Sequence, residues 1–528
     1  MCGILYYKGK DENIDSAFNK IEHRGPDNST FVNKQNLFIG THRLSIINTS
    51  EIGNQPLKMK SDDKDVFLIC NGQIYNYKSL SIKYNIDLKD IRSDVDIILH
   101  LYIKGIKMDV ICKELDGDFA FVLIDENEVY VARDCIGVRP LFYGINLDNK
   151  IISYASEMKS LENLNEIKEI KVFPPGYLYN KEHFSSYINL DDSNLIIRNT
   201  VSKLSTDEIQ NIIYNLLKKA VIKRIDESDR PVAFLCSGGL DSSIILCIAK
   251  EYLDSKNRKL HAFSIEFQDD RSNSDDAIYC KMLTSLLNVE YTAVKFDIND
   301  VKNNLEKVIY QIESYDPNTI RAALPMYLLS KYLKENTKYK VFLSGEGADE
   351  LYCGYNYFNQ AQTKNDIEVE TNRLIKNIHM FDVLRADRCF SSQGLEIRVP
   401  FLDKDFVRFS LGIDGLLRGF KKYTEKYLLR ETFRKNYPEL TTSRIIDRQK
   451  ERMSDGCGFS YVPQLLNYCT YLKNDKNNSY NLEKKEQYEK EYYKKIFDLY
   501  YRHEDIIIKR ELPKWSIQNN KSSNLLIN

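Results

Sequence analysis

The spacing of apolar residues changes once along this chain, and the change divides it into two parts that must fold differently. Up to about residue 190, short β-rich runs alternate with turn signals, as at 37–40, 66–71, 119–125 and 129–134. Short strands joined by turns favour antiparallel sheets. We therefore expect residues 2–195 to form an N-terminal domain built on antiparallel sheets.

The second part opens with a helix signal and then alternates strand-like and helix-like runs. Polar residues at 191–194 interrupt the first pattern, so residues 190–204 are expected to be a linker. Ser205 and Glu208 form a capping box ahead of an amphipathic run. The runs that follow are strand-like at 232–236, 261–267, 291–296 and 341–344, and helix-like from Ser242 and near 275–287. This alternation predicts a parallel sheet, so we expect 205–528 to be an α/β domain with a mainly helical C-terminal part.

Composition narrows the class of protein. The length of 528 residues exceeds what one hydrophobic core usually serves, which agrees with two domains. A formal net charge of −1 gives no global attraction to nucleic acid or to a membrane surface. No apolar run is long enough to span a membrane, and the N-terminus lacks a basic region followed by an apolar run and a small-residue cleavage site, so a cytoplasmic location is expected. The 11 cysteines show no spacing typical of a zinc site.

Cys2 is the first candidate catalytic residue. If Met1 is removed, Cys2 carries both a thiol and a free α-amino group, which pairs a nucleophile with its own base. Position alone favours a cysteine that happens to follow Met1. Five further segments change that interpretation: 23–27 (HRGPD), 42–46 (HRLSI), 71–76 (NGQIYN), 93–94 (SD) and 137–141 (GVRPL).

Together with the start MCGI, these segments resemble the class II glutamine amidotransferases in the same order. The resemblance implies an N-terminal-nucleophile αββα sandwich in which Cys2 attacks glutamine. Asn71 and Gly72 would donate hydrogen bonds to the oxyanion. Arg43 would bind the α-carboxylate of glutamine and Asp94 its α-ammonium group. The remaining glutamine-binding residues implied are Leu44, Ser45, Ile46, Ile47 and Gln73.

Two residues depart from that family's pattern. Gln73 stands where the family commonly has glutamate, and Asp96 stands where a second glutamate is usual. Gln73 keeps a carbonyl acceptor but carries no charge, so a weaker contact with the glutamine ammonium group is expected.

A glycine-rich loop marks the second candidate site. The run 236–243 (CSGGLDSS) follows a predicted strand and opens a predicted helix, where main-chain N–H groups and the helix dipole favour an anion. The run resembles the pyrophosphate loop of ATP pyrophosphatases, which cleave ATP between the α and β phosphates. The resemblance implies these ATP-binding residues: Leu235, Ser237, Gly238, Gly239, Leu240, Asp241, Ser242, Ile265, Ser344 and Gly345.

Further segments narrow the resemblance to the glutamine-hydrolysing asparagine synthetases, and it covers almost the whole chain. They are 315–316 (YD), 319–321 (TIR), 325–327 (PMY), Asp382, 385–386 (RA), 396–403 (EIRVPFLD) and 448–450 (RQK), with 344–350 (SGEGADE). The resemblance implies Asp241 and Asp349 as Mg²⁺ ligands and Glu346 as a residue for forming the acyl-adenylate. Arg321 and Lys450 would stabilise charge on the phosphate or the adenylate. Aspartate would bind to Thr319, Arg321, Asp382 and Arg385.

The implied reaction is ATP-dependent synthesis of L-asparagine from L-aspartate with ammonia from L-glutamine, through β-aspartyl-AMP. Its substrates would be small molecules, and the resemblance allows a homodimer. A glutamine-dependent amidotransferase of the same architecture acting on another carboxylate stays open. The β-lactam-forming relatives generally lack the N-terminal cysteine, so Cys2 counts against them. A sensor or scaffold that only binds glutamine or ATP would need no nucleophile, and Cys2 counts against it too.

Overall fold

The computed structural model describes residues 1–517 except 35, 127, 269–273, 421–423, 452–455, 474–480 and 504–511, and the side chains of 191–196 also lie outside the description. The strands are β1 Gly3–Lys8, β2 Asn28–Lys34, β3 Leu37–Arg43, β4 Leu57–Ser61, β5 Lys64–Ile74, β6 Gly117–Asp125, β7 Glu128–Arg133, β8 Phe142–Ile145, β9 Ile151–Ala155, β10 Glu169–Val172, β11 Tyr177–Asn180, β12 His183–Ser186, β13 Val232–Leu235, β14 His261–Phe267, β15 Glu290–Phe296, β16 Val341–Leu343 and β17 Glu396–Arg398. The helices are α1 Ile14–Asn19, α2 Tyr77–Lys83, α3 Asp96–Ile103, α4 Met108–Glu114, α5 Leu190–Val201, α6 Thr206–Asp226, α7 Leu240–Ser255, α8 Asp275–Leu286, α9 Ile298–Ile312, α10 Pro317–Asn336, α11 Ala348–Leu351, α12 Lys364–Asn377, α13 Asp382–Ser391, α14 Lys404–Gly412, α15 Gly415–Arg418, α16 Tyr427–Asn436, α17 Pro438–Thr442, α18 Tyr461–Leu472, α19 Leu482–Tyr500 and α20 Lys514–Ile517.

Two antiparallel sheets form the N-terminal domain. Their strand orders are β10-β8-β9-β1-β3-β2 and β12-β11-β7-β6-β5-β4. Side chains alternate between the faces of each strand, so in β1 Ile4 and Tyr6 enter the core between the sheets while Leu5 and Tyr7 face outward. Helices α2, α3 and α4 cover the outer face of the second sheet. The predicted sandwich of antiparallel sheets is confirmed.

The outer face of the first sheet is shared with the C-terminal domain. Leu5, Tyr7 and Phe142 belong to one buried cluster with Phe18 of α1 and with residues of α9, α10 and α13 such as Ile309. A continuous core of this kind holds the two domains in a fixed relative position, because burying apolar surface stabilises the contact between them.

A parallel sheet of order β15-β14-β13-β16-β17 forms the centre of the C-terminal domain. Consecutive strands run outward from β13 to β15, and β16 then lies on the other side of β13. The strand order therefore reverses between β13 and β16. In α/β sheets the crevice at the carboxyl ends of the strands beside such a reversal is the usual ligand site.

The structure corrects one prediction and confirms others. Residues 190–204 were expected to be a linker, but 190–201 form helix α5. The capping box of Ser205 and Glu208 is present at the start of α6. The last ~50 residues, rich in Lys, Glu, Tyr and Asn, predict a helix followed by a frayed end; the helix is α19, and the tail continues beyond the described residues. Within the described part of the chain, no helix is both long and apolar enough to cross a membrane.

Candidate active sites

Cys2 and Asn71 meet at the edge of the core between the antiparallel sheets. The main-chain N–H of Cys2, just before β1, donates to Oδ1 of Asn71 in β5 at 2.9 Å. Asn71 is fully buried, and its Nδ2 has no hydrogen-bond partner among the described residues. A buried donor without a partner is costly, so this amide group is available to donate to an acceptor.

Gly72, the other residue of the predicted oxyanion site, follows Asn71 in β5. A Cβ atom at this position would lie 2.7 Å from the carbonyl oxygen of Asp118 and 2.7 Å from Cα of Phe119. Only glycine fits in this place on β5 because β6 packs so closely against it. We use "N-terminal site" below for Cys2, Arg43, Asn71, Gly72 and Asp94.

Arg43 is held rigidly at the end of β3. Its guanidinium donates to the carbonyl oxygen of Ser50 at 2.8 Å, to Oδ1 of Asn54 at 2.8 Å and to the carbonyl oxygen of Ile47 at 3.3 Å. Burial lowers the pKa of Arg43, while the charges of Cys2 and Asp94 raise it. Arg43 is therefore close enough to Cys2 and Asp94 to interact with both electrostatically.

Asp94 is the acidic group of the N-terminal site. Its Oδ2 accepts a hydrogen bond from the main-chain N–H of Ile74 at 2.7 Å. Burial raises the pKa of Asp94 to about 7 despite this hydrogen bond. Its charge therefore changes within the physiological pH range.

The other predicted glutamine-binding residues lie near the domain boundary. Leu44 and Ile46 are buried in a core shared with the C-terminal domain, Ser45 donates its main-chain N–H to Asp27 at 2.8 Å, and Ile47 is half-buried. Gln73 Oε1 accepts from Nη2 of Arg398 at 2.9 Å, and its Nε2 has no partner in the described part of the chain. The carbonyl of Gln73 is thus used by the C-terminal domain.

Asp96, the second departure from the family pattern, lies in the first turn of α3. Both of its oxygens accept from the guanidinium of Arg92, at 2.7 and 2.8 Å. Asp96 therefore fixes the loop that carries Asp94.

Arg24 links the N-terminal site to the C-terminal domain, a role that the sequence did not reveal although Arg24 lies in a quoted motif. Its Nε donates to the carbonyl oxygen of Cys2 at 3.0 Å. Its Nη1 donates to Glu157 at 2.7 Å and to Asp387 of α13 at 2.8 Å. All three charged groups are buried, so each depends on the others for compensation.

One cavity of about 380 Å³ opens at the carboxyl ends of β13 and β16. We call it the C-terminal cavity. The predicted residues that line it are Leu235, Ser237, Gly239, Leu240, Asp241, Ser242, Ile265, Arg321, Ser344, Gly345, Glu346, Asp349, Asp382, Arg385 and Lys450. The strand reversal therefore brings together residues that are more than 200 positions apart in sequence.

Gly238 and Thr319 are the predicted residues that do not line the cavity. Gly238 has φ of +66°, and a Cβ there would lie 2.7 Å from the carbonyl oxygen of Asp276, so it shapes the loop. Thr319 bonds to Asp316 through both its hydroxyl, at 2.7 Å, and its main-chain N–H, at 2.8 Å, and so caps α10.

Carboxylates and ammonium groups alternate at the end of the cavity beside the predicted pyrophosphate loop, which we call the phosphate end. Nζ of Lys426 lies 2.6 Å from Asp241 and 2.6 Å from Asp349, and Nζ of Lys450 lies 2.6 Å from Asp349. Burial alone would raise the pKa of Asp349, but Lys426 and Lys450 outweigh it and hold the pKa at about 2. Asp349 also raises the pKa of Lys450, against the opposing effect of burial.

Asp241 and Asp349 fit the requirements of Mg²⁺. Oδ1 of Asp241 is buried without a hydrogen-bond partner among the described residues. Mg²⁺ in nucleotide sites is usually held by one or two carboxylates together with substrate phosphates and water. Two carboxylates beside a predicted pyrophosphate loop meet that pattern.

The other end of the cavity holds Glu346 and two arginines. Arg385 of α13 donates to Asp382 at 2.7 Å and to Glu346 at 3.2 Å. Burial raises the pKa of Glu346 although Arg385 opposes the shift. The guanidinium of Arg321 is bound by both oxygens of Glu489 in α19, at 2.6 and 2.9 Å. Arg321 therefore reaches the cavity with its charge already paired.

Among the lining residues that were not predicted as site residues are three that carry charge next to the predicted ones: Glu350, Glu425 and Lys426. Burial, with Asp382 and Asp349 nearby, raises the pKa of Glu350 to about 8. Glu350 was within a quoted motif, but a lone lysine ahead of a helix carries no pattern that indicates chemistry.

Comparisons with known proteins match along both domains. A family model described as a glutamine amidotransferase domain matches residues 1–188, and one described as asparagine synthase matches 213–373 and 359–518. A probable glutamine-hydrolysing asparagine synthetase of Acanthamoeba polyphaga mimivirus is 34% identical over 557 residues, covering 98% of each chain. The glutamine-hydrolysing asparagine synthetase 3 of Arabidopsis thaliana is 35% identical over 490 residues, covering 89% of this chain and 81% of its own.

Among solved structures, glutamine phosphoribosylpyrophosphate amidotransferase from B. subtilis matches 56% of this chain and 81% of its own, at 16% identity and a TM-score of 0.32. The sequence relatives cover far more. A 34% identity that extends over both sites, together with family models for each domain, places this chain in the glutamine-hydrolysing asparagine synthetase family.

Proposed function

We propose that this chain makes L-asparagine from L-aspartate, with ammonia from L-glutamine and with cleavage of ATP to AMP and pyrophosphate. One observation carries the proposal: the same chain holds a cysteine bonded to the buried Asn71 amide and a separate cavity with a glycine loop and two carboxylates. Residues 2–195 would be the glutaminase domain and 205–528 the synthetase domain.

The N-terminal site would release ammonia. Once Met1 is removed, the α-amino group of Cys2 accepts the thiol proton, and Sγ attacks the side-chain carbonyl carbon of glutamine. The oxyanion accepts hydrogen bonds from Nδ2 of Asn71 and the N–H of Gly72. Ammonia leaves with the transferred proton, and water then cleaves the γ-glutamyl thioester to glutamate.

Glutamine would be oriented by charges at its α-carbon. Arg43 is fixed by Ser50, Asn54, Ile47 and Asn48, so its guanidinium would exchange some of these hydrogen bonds for the α-carboxylate. Asp94, when ionised, balances the α-ammonium group. The segment Leu44–Ile47 and Gln73 complete the wall of this site.

The C-terminal cavity would activate aspartate. The triphosphate lies on the loop 237–242 at the start of α7, where the helix dipole favours negative charge. The β-carboxylate of aspartate attacks the α-phosphorus, which gives β-aspartyl-AMP and pyrophosphate. Ammonia then attacks the acyl carbon and AMP leaves. Lys450 and Glu346 lie where they can balance charge during these steps.

Aspartate would bind at the end of the cavity lined by Asp382, Arg385 and Arg321, with Thr319 in the first turn of α10 close to Arg321. Asp382 and Arg385 line the cavity and are paired with each other. For Arg321 to contact substrate, its guanidinium must exchange Glu489 for a substrate carboxylate.

Asp241 and Asp349 would hold Mg²⁺ in this proposal. The cation would neutralise negative charge on the phosphates. The protein's own part is to keep two buried carboxylates and the lysines beside them in place.

Ammonia is protonated and diluted in water, so coupling the two sites requires a path inside the protein between them. Such a path would have to run through the core that the two domains share. A cytoplasmic location and a homodimer complete the proposal. Light scattering on the purified protein measures the assembly state.

The test is a product assay with purified enzyme, aspartate, amide-¹⁵N glutamine, ATP and Mg²⁺. We expect ¹⁵N-asparagine, AMP and pyrophosphate in equal amounts. ATP cleavage or glutamine hydrolysis without asparagine would assign the chain to another acceptor carboxylate. No cleavage of either substrate would contradict an enzymatic function.

A further inference from the structure

Lys426 occupies the place between the two proposed metal ligands. Its Nζ lies 2.6 Å from Oδ2 of Asp241 and 2.6 Å from Oδ1 of Asp349. The side chain is only 2% exposed. Lysine is almost never fully buried unless its charge is paired, and here both partners are carboxylates of the phosphate end of the cavity.

The chain around Lys426 is built to hold it there. Lys426 has φ of +54°, a left-handed conformation that is uncommon for a residue with a side chain, and it immediately precedes α16. Glu425 bonds to the guanidinium of Arg430 and accepts the main-chain N–H of Lys450 at 3.0 Å. The same corner of the chain therefore fixes the backbones of both lysines.

Gly354 leaves the room for this arrangement. A Cβ atom at 354 would lie 1.9 Å from Oδ1 of Asp349 and 2.4 Å from Cε of Lys426. No other residue could stand there without displacing one member of the pair.

An ammonium group and a divalent cation cannot share the two carboxylates. Mg²⁺ binds oxygen at about 2.0–2.1 Å, so a cation held by both Asp241 and Asp349 would lie close to the present position of the Lys426 nitrogen. Like charges at such a distance repel strongly in a buried site. The flexible four-carbon stem of lysine allows its ammonium to move while the backbone stays fixed.

Resting on the proposed function, we propose that Lys426 is a phosphate-binding residue that competes with Mg²⁺ for Asp241 and Asp349. When the cation takes the two carboxylates, the ammonium of Lys426 moves to an oxygen of the pyrophosphate group. Lys426 thereby keeps the carboxylates paired before the nucleotide binds and adds a positive charge to the leaving group afterwards.

The test is a pair of titrations that need no turnover. Lys426→Met keeps the stem and removes the charge. Because the competitor is gone, Mg²⁺ alone should bind on the order of tenfold more tightly by calorimetry, while pyrophosphate at saturating Mg²⁺ should bind on the order of tenfold more weakly. A charge-keeping variant, Lys426→Arg, should stay within about threefold of the wild type in the pyrophosphate titration.

Lys223→Met is the matched control. Lys223 also bridges two carboxylates, Asp116 and Asp403, but lies outside the cavity. We expect Lys223→Met to leave the affinities for Mg²⁺ and pyrophosphate unchanged. That result would show that the opposite shifts in Lys426→Met are not a general effect of removing a positive charge. Wild-type affinities in Lys426→Met, or a parallel loss of both, would overturn the proposal.

Two further readouts keep the outcomes separate. Glutamine hydrolysis at the distant N-terminal site reports whether Lys426→Met is folded. If that variant does not fold, Lys426→Ala and Lys426→Arg replace it. A wild-type pyrophosphate affinity in folded Lys426→Ala, or a weakened pyrophosphate affinity in Lys426→Arg, then overturns the proposal. If the wild type makes no asparagine, the proposed function fails, whereas the titrations still decide the role of Lys426.

Discussion

The N-terminal site and the C-terminal cavity handle charge in opposite ways. In the first, the group aimed at the reacting atoms is the neutral amide of Asn71, fixed in a regular strand. In the second, Asp241 and Asp349, in the first turns of α7 and α11, form a chain of ion pairs with Lys426 and Lys450. The difference matches the reacting groups, because the side-chain amide of glutamine develops charge only transiently whereas the phosphates of ATP and the β-carboxylate of aspartate are permanently charged.

A preorganised neutral donor interacts weakly with the bound substrate and strongly with the oxyanion. It therefore lowers the free energy of the transition state more than that of the bound substrate. Permanent charges instead require compensation throughout the cycle, which only ionised side chains can give. The comparison predicts that changes in the N-terminal site act mainly on glutamine turnover, whereas changes in the cavity act on binding as well.

The largest effect is expected from Cys2→Ala. Without the thiol no thioester can form, so glutamine-dependent asparagine synthesis should fall by about 10⁴-fold or more, while synthesis from ammonium chloride persists. Asparagine measured with each nitrogen source checks this. Cys135→Ala, which changes a half-buried thiol of the same domain, should leave both activities intact. Loss of both activities in Cys2→Ala would show that the two sites are not separable.

Asn71→Ala should have the next largest effect. Removal of one oxyanion donor typically lowers kcat by about 10²- to 10³-fold, and we expect that loss for glutamine hydrolysis with little change in KM. Steady-state glutaminase kinetics measure it. Asn76 is the matched control, because its amide is already bonded to Glu114 and Asp116. A kcat reduced equally by Asn76→Ala would mean that Asn71 acts only by holding the fold.

Asp387→Asn tests the connection between the sites. Removing one partner of a buried ion pair typically costs about 3–5 kcal/mol of the free energy of unfolding, and we expect the lower end here because Arg24 keeps Glu157 as a second carboxylate partner. Since Arg24 also holds the carbonyl oxygen of Cys2, we expect more glutamate to form per asparagine. Chemical denaturation and a product ratio measure the two effects.

Ser391→Ala removes only a 3.0 Å hydrogen bond to the same guanidinium and is the control for Asp387→Asn. It should cost about 1 kcal/mol and leave the product ratio unchanged. If Asp387→Asn unfolds more easily but keeps the wild-type ratio, the ion pair stabilises the fold without coupling the sites.

The sequence predicted much of the fold because its strands carry strong patterns. The runs at 66–71 and 232–236 are apolar and bounded by turns, and both are strands. Strand β17 was missed because it has three residues, of which Glu396 and Arg398 are charged. Helix α5 was missed because acidic and polar residues at 191–194 suggested a linker, although such residues are also favoured in the first turn of a helix.

In the candidate sites, the sequence predicted residues that lie in short motifs but missed the contacts that folding makes between distant segments. Short motifs locate a nucleophile or a phosphate loop, because those residues are neighbours in sequence. They cannot show pairings made by folding, such as Lys426 with Asp241, Arg321 with Glu489, or Arg24 with Asp387. Each of these joins elements more than 160 residues apart, and each changes what a predicted site residue is free to do.

The pH dependence of glutamine use should follow Asp94. Its pKa of about 7 lies above its unfolded value, so the carboxyl is largely neutral at pH 6 and ionised at pH 8. Only the ionised form balances the ammonium group of glutamine, so kcat/KM for glutamine should rise about tenfold from pH 6 to pH 8. The same shift makes folding less favourable as pH rises from about 4 to 7.

Kinetics with the Asp94→Asn variant provide the control, because its amide does not titrate in this range. The variant should lose the rise between pH 6 and pH 8. A wild-type profile in Asp94→Asn would assign the titration to another group.

The smallest effect is expected from Gln73→Glu. A carboxylate at this position adds negative charge near the ammonium group of glutamine and should lower the KM for glutamine. The gain should be only about twofold to threefold, because Arg398 already binds the side-chain oxygen at 2.9 Å and would neutralise much of the charge. Gln73→Ala serves as the control, since it removes the acceptor without adding charge. A tenfold lower KM in Gln73→Glu would show that the new carboxylate leaves Arg398 for the substrate, and the N-terminal site would then depend on charge as the C-terminal cavity does.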